Sequence, residues 1–193
     1  MASFKLHCQD QFFSEGLYHL IQQAYDTIAD AELEELVIPN ILVISGKCLF
    51  DVFQFIGNIE LNQPCFIFCN KNQTRILRGI SGLNYCVFFL VDDSVETASI
   101  KIRKALHSLQ KRSLFDVAYT NETPSLTSSE VKITRLLSDG CSCRVIQDIT
   151  NFSDKAVSYY KRSSMNKLNV LSTQELIIKF RVLQIIQSQL NHQ

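Results

Sequence analysis

LTSSEVKITRLLSDGCSCRVIQDITNFSDKAVSYYKRSSMNKLNV, residues 126–170, is a run of three short helical segments divided by turn signals. Thr127 followed three residues later by Glu130 has the form of a capping box. Val131, Ile133, Thr134, Leu136 and Leu137 follow at helical spacing before Gly140 stops the segment. A second helix is predicted over 142–150, with Val145, Ile146 and Ile149 facing inward. TNFS then forms a turn, and Ser153 caps a third helix that runs to residue 168. Three short helices with a tight turn before the last make a helix-turn-helix arrangement.

The third helix places Val157, Ser164, Met165 and Leu168 inward and leaves Lys155, Ser158, Tyr159, Lys161, Arg162 and Lys167 for solvent or a ligand. Four of these six are cationic, and the hydroxyls beside them can hydrogen-bond to phosphate or base edges, as a recognition helix in a major groove requires. A solvated face of a small helical bundle has the same pattern, and charge does not separate the two. Ser172 with Glu175 forms a second capping box and opens a helix over about 173–190.

Upstream, the pattern changes. FKLHC (4–8), ILVIS (41–45), PCFIFC (64–69) and YCVFFLV (85–91) are short apolar runs, with helical segments at 12–25, 48–58, 73–80 and 96–112. Ile100, Ala105, Leu106 and Leu109 are expected on one stripe of the last. Almost wholly apolar strands separated by helices imply a parallel sheet covered on both faces. The fold class is therefore an α/β domain followed by an all-α helix-turn-helix domain with a long C-terminal helix. The expected domains are 1–118 and 126–193, with YTNETPS (119–125) as linker.

Composition agrees with a folded chain. Of 193 residues, 46% are hydrophobic and 20% charged, with six Gly and three Pro. Formal charge is zero, but residues 1–125 carry 10 Lys/Arg against 14 Asp/Glu, and residues 126–193 carry 9 against 5. An acidic module joined to a basic one fits regulation coupled to polyanion binding. Seven cysteines in mostly strand-like runs point to reduced thiols and a cytoplasmic location. Neither a signal peptide nor a membrane span is expected. No acid, base, nucleophile and metal-ligand constellation is legible, so no enzymatic activity, cofactor or metal site is expected.

Residues 126–170 resemble the LuxR/FixJ type of helix-turn-helix domain, through Leu126, Thr127 and Glu130 and then Gly140, Ser142, Ile146, Ser153, Lys155, Val157, Lys167, Leu168 and Val170. KRSSMNKL, 161–168, is most similar to the RcsB-like branch. Gln147, Thr150, Ala156 and Tyr160 depart from the family pattern. Gln147 and Thr150 weaken the packing of the second and third helices unless Ile149 and Phe152 turn inward. The resemblance implies a bacterial transcriptional regulator of duplex DNA. Lys155, Ser158, Lys161, Arg162 and Lys167 would contact phosphates or bases, and Leu176, Ile177, Phe180 and Leu183 would form a dimer surface.

The family often carries a phosphoacceptor receiver ahead of this module, and residues 4–112 look like one with its chemistry missing. Phosphoryl transfer needs an aspartate after the third strand, acidic residues after the first to hold Mg²⁺, and a lysine after the fifth. Here Ser45 ends the ILVIS strand, Cys8 and Gln9 stand where the acidic pair is expected, and no lysine occurs between residues 72 and 100. Asp10 remains in a degenerate pocket with Cys8, Gln9 and Ser45. The implied protein is a regulator outside conventional aspartyl phosphorylation, acting as a homodimer or as a heterodimer with a related regulator. Fimbriae or other surface structures are the implied targets. The alternative is a module that titrates a partner protein without binding DNA itself.

Overall fold

A computed structural model of the chain describes residues 5–8, 10–29, 38–44, 52–56, 63–110 and 125–190. The predicted strand end Ser45, the neighbouring Gln9, and all but Ser125 of the expected linker lie outside these residues. The chain folds as two compact units.

The first unit contains β1 (Leu6–His7), α1 (Gln11–Ala29), β2 (Asn40–Val43), α2 (Val52–Ile56), β3 (Cys65–Cys69), β4 (Cys86–Leu90) and α4 (Val95–Gln110), while α3 (Lys71–Leu77) follows β3. The described strands form one parallel sheet in the order β1-β2-β3-β4. Register follows from pairs such as Ile41 opposite Phe66 and Phe66 opposite Val87.

Strand alternation sends Ile41, Val43, Phe66, Phe68 and Phe89 to one face, where they join Ile21 and Tyr25 of α1 and Ile102 and Leu106 of α4 in one core. Phe68 and Phe89 stack at 4.7 Å, and Phe66 lies 5.0 Å from Phe89. Leu42, Ile67 and Cys69 alternate to the other face and are also buried. Burial on both sides explains why these strands read as unbroken apolar runs.

Two local expectations are corrected. The helix expected at 73–80 begins at Lys71, because Asn70 caps it: its Oδ1 accepts from Gln73 N–H at 2.9 Å while Gln73 Oε1 accepts from Asn70 N–H at 2.9 Å. On α4, Ile100 is 48% exposed, whereas Ile102 is buried with Ala105, Leu106 and Leu109. Ile100 precedes Ala105 by five residues, about 140° around a helix, and so leaves the inner stripe.

The second unit contains α5 (Ser128–Ser138), α6 (Cys143–Thr150), α7 (Asp154–Lys167) and α8 (Thr173–Leu190). Ile133, Leu137, Ile146, Val157, Leu168, Val170 and Leu176 form its core. Its helix ends are chemically specified. Gly140 adopts φ 85 after α5, with Gly140 N–H donating to Leu137 and Cys141 N–H to Leu136, a Schellman closure. Asn169 repeats it after α7 at φ 51, the left-handed region that Asn tolerates better than most residues.

Candidate nucleic-acid interface

The orientation of α7 is set by three residues before it. Asn151 ends α6 in the left-handed conformation at φ 58. Thr150 Oγ1 donates to Ile146 O at 2.6 Å and accepts from Phe152 N–H at 3.3 Å, which ties the last turn of α6 to the entry of α7. Ser153 then caps α7 by accepting from Ala156 N–H at 3.3 Å. Gln147 Nε2 donates to Asp154 Oδ1 at 3.2 Å, a polar link between α6 and the first turn of α7. The Phe152 ring lies 5.3 Å from Tyr160 and packs against the core.

The two substitutions expected to loosen this unit are thus absorbed by hydrogen bonds. Phe152 does turn inward, but Ile149 is 51% exposed, as is Val145 at 43%. The expectation that both face inward is corrected: the buried row of α6 is Ile146 and Thr150, and Val145 and Ile149 form the adjacent row, about 100° away.

The inner side of α7 is polar where it meets α5. Ser164 is buried, donating to Tyr160 O at 2.9 Å and accepting from Thr134 Oγ1 at 3.2 Å. Glu130 is also buried, with three sets of donors. Its Oε2 accepts from Thr127 N–H at 2.7 Å and Lys167 Nζ at 2.8 Å, and its Oε1 accepts from Ser163 Oγ at 2.7 Å. Burial alone would raise this carboxyl, but the bonds from Lys167, Ser163 and Thr127 outweigh it and hold the pKa at about 2. The capping box predicted at Thr127 is therefore one arm of a larger network that fixes α7 to α5.

Outward from this network, Lys155, Tyr159 and Arg162 are exposed at intervals of four and three residues, one stripe along α7. Arg162 Nε donates to Ser158 O at 3.3 Å, which lays the guanidinium back along the helix. Residues 124–180 match the GerE family, described as bacterial regulatory proteins, luxR family. This segment is a LuxR-type helix-turn-helix domain.

No curated protein matches the chain. Among solved structures, the chain is similar to RcsB in a structure of two RcsB dimers bound to two parallel DNAs, with 18% identity over 93% of this chain and 98% of that one and a TM-score of 0.60. Full-length FixJ from B. japonicum matches at 14% identity over 94% and 97% of the two chains with a TM-score of 0.34. The Salmonella typhimurium RcsB response regulator matches at 17% over 96% and 97%, also with 0.34. The RcsB likeness shows the fold expected from sequence: a receiver-like parallel α/β unit followed by the LuxR-type helices.

Within the LuxR-type domain, Lys155, Tyr159 and Arg162 are open to solvent, and Ser158 and Lys161 are half-buried. Lys167 lies apart from that stripe, half-buried and ion-paired with Glu130 at 2.8 Å. Its partner is 37 residues away, so no local sequence pattern announces the pair.

The residues expected to form a surface on α8 differ in exposure. Leu176 is buried in the LuxR-type domain's own core, Ile177 and Leu183 pack partly buried against that core, and Phe180 is only 6% exposed. Leu176, Ile177 and Leu183 follow one side of α8 that meets the helical core, which accounts for their burial. The second capping box is likewise altered: Glu175 N–H donates to Ser172 Oγ at 3.1 Å, but Glu175 Oε2 accepts from Leu171 N–H rather than Ser172 N–H.

At the strand ends of the receiver-like unit, Asp10 Oδ1 accepts from Phe13 N–H at 3.0 Å and so acts as the N-cap of α1. Cys8 Sγ donates to Asp10 O at 3.2 Å, and burial raises its thiol pKa. Asp93 is held by Lys101 at 2.6 Å. Gln9 and Ser45 lie outside the described residues. Among those described, no three His, Cys, Asp or Glu residues group as a metal site. No described helix is long and apolar enough to cross a membrane.

Proposed function

We propose that the protein is a sequence-specific, double-stranded-DNA-binding transcriptional regulator whose α7 enters the major groove. The observation that carries the reading is the exposed Lys155, Tyr159 and Arg162 stripe on the second helix of a LuxR-type helix-turn-helix, held on its inner side by a satisfied polar network. Ser158 and Lys161 flank the stripe and complete the phosphate-contacting face. The known DNA complex of RcsB, whose fold this chain shares, supports the assignment.

Regulation proceeds without aspartyl phosphorylation, because Ser45 stands at the end of the predicted phosphoacceptor strand and Asp10 is committed to capping α1. Residues 1–118 form the regulatory domain and 126–193 the DNA-binding domain, acting in the cytoplasm. One recognition helix reads a single half-site, so the protein acts as a homodimer or as half of a heterodimer with a related regulator. Surface structures such as fimbriae are the proposed targets.

The test is retention of genomic fragments by the full chain at rising salt, followed by sequencing. Enrichment of a shared element by the chain alone, or only with a related regulator, supports DNA readout and distinguishes the two assemblies. No enrichment under either condition contradicts it.

A further inference from the structure

The receiver-like unit contains an open-sided cavity of about 450 Å³ at the carboxyl ends of β3 and β4, between α1 and the start of α4, with Phe12, Gly16, His19 and Gln23 exposed along its mouth. Ligands of parallel α/β sheets collect at such strand ends, and small-molecule pockets of a few hundred Å³ combine apolar walls with a few polar groups. We propose that this cavity binds a small uncharged molecule with an aromatic or branched hydrocarbon body and one hydrogen-bonding group.

The wall of α1 is written in its sequence. Phe12, Gly16, His19 and Gln23 follow at intervals of four, three and four residues, so they share one side of the helix and line the cavity together. Gly16 is the gap in that row. Gly16 is exposed and a Cβ built there meets no atom within 4 Å, so the mouth of the cavity stays open at this position. A helix-interior glycine costs stability, and no positive φ requires one here. Phe68 and Ala98 form the opposite walls.

The same residues define the occupant. Asp93 is the one Asp, Glu, Lys or Arg among the lining residues, and Lys101 neutralises it at 2.6 Å, so the walls offer no free countercharge to an ionic ligand. His19 and Gln23, one turn apart, supply the polar contact. A helix with side chains is about 10–12 Å across and rises 5.4 Å per turn, so the recess holds roughly one turn and a protein partner would lie across its mouth. An apolar small molecule fills it without needing an extended groove.

Indole, which is aromatic, uncharged and carries one N–H donor, is the probe. It is titrated into the isotope-labelled full chain and followed by amide chemical shifts, with sedimentation velocity in parallel. Saturable shifts on residues 12–23 and 90–98 are expected, weakened about tenfold or more by Gly16→Leu, whose side chain competes for the same space. Ala98→Leu narrows the cavity from the other wall and should weaken binding likewise, which keeps the test intact if the first variant does not fold. Absence of saturable shifts, or unchanged affinity in folded variants, overturns the proposal. So does a dimer that both substitutions dissociate, since a second copy would then occupy the cavity. None of these readouts involves DNA.

Discussion

Lys167 Nζ lies 2.8 Å from Glu130 Oε2, joining the last turn of α7 to the first turn of α5. The contact gives one carboxylate three tasks: reciprocal cap of its own helix, acceptor for Ser163, and counterion for a lysine that the linear sequence presents as free. It fixes α7 from the side that does not face solvent.

The Glu130 carboxyl titrates at about 2 in the folded protein, below its usual 4.5. A lowered folded pKa contributes stability that is complete above about 4.5 and fades as pH falls toward 2. A shift of that size corresponds to about 2–3 kcal/mol, allowing for screening at the partly exposed lysine. Urea unfolding of the wild-type chain and Glu130→Gln between pH 2 and 7 should show their difference shrinking steadily below pH 4.5. A pH-independent difference would refute the assignment.

Lys167→Ala should therefore behave unlike the other cationic substitutions. Leaving Glu130 buried without its counterion should destabilise the domain by about 2–3 kcal/mol, with little change in the salt slope of DNA binding. Lys155→Ala should leave the unfolding midpoint within about 0.5 kcal/mol of wild type. Chemical denaturation of the two variants side by side checks the contrast.

Thr150 is buried, and its hydroxyl serves two backbone groups at the α6–α7 turn. Thr150→Val keeps the shape and removes the Phe152 N–H partner, which should cost about 1–2 kcal/mol. Thr150→Ser, which retains the hydroxyl, should recover most of it. Equal stability of Thr150→Val and wild type would mean that the bonds contribute nothing.

Gly16→Ala should stabilise the receiver-like unit by about 0.5–1 kcal/mol, since the added methyl meets open space and the unfolded chain loses freedom. Thermal unfolding measures it. A lowered midpoint would mean that the helix needs glycine at this position.

Much of this architecture is legible in the residues because local signals agree with one another. Thr127, Ser142 and Ser153 each cap the predicted helix, and Gly140 stops α5 in the left-handed conformation. The apolar runs around Ile41, Phe66 and Phe89 become strands of a sheet buried on both faces. What the linear pattern does not carry depends on rotation or distance. Val145, Ile149 and Ile100 are apolar, yet each sits beside the buried row of its helix. Lys167 and Leu176 have residue types suited to a surface role, but Glu130 takes the first and the domain core the second. No local pattern announces the cavity beside Gly16, because its walls come from α1, β3, β4 and α4, which only the folded unit brings together.

The most direct measurement is the salt dependence of binding to a selected DNA element by wild type and by the Lys155→Ala/Arg162→Ala double variant, with folding checked by circular dichroism. Each lost phosphate contact should lower the magnitude of the log–log salt slope by about one, so a drop of about two with weaker binding is predicted. An unchanged slope and affinity in the folded double variant would contradict α7 as the DNA-reading helix.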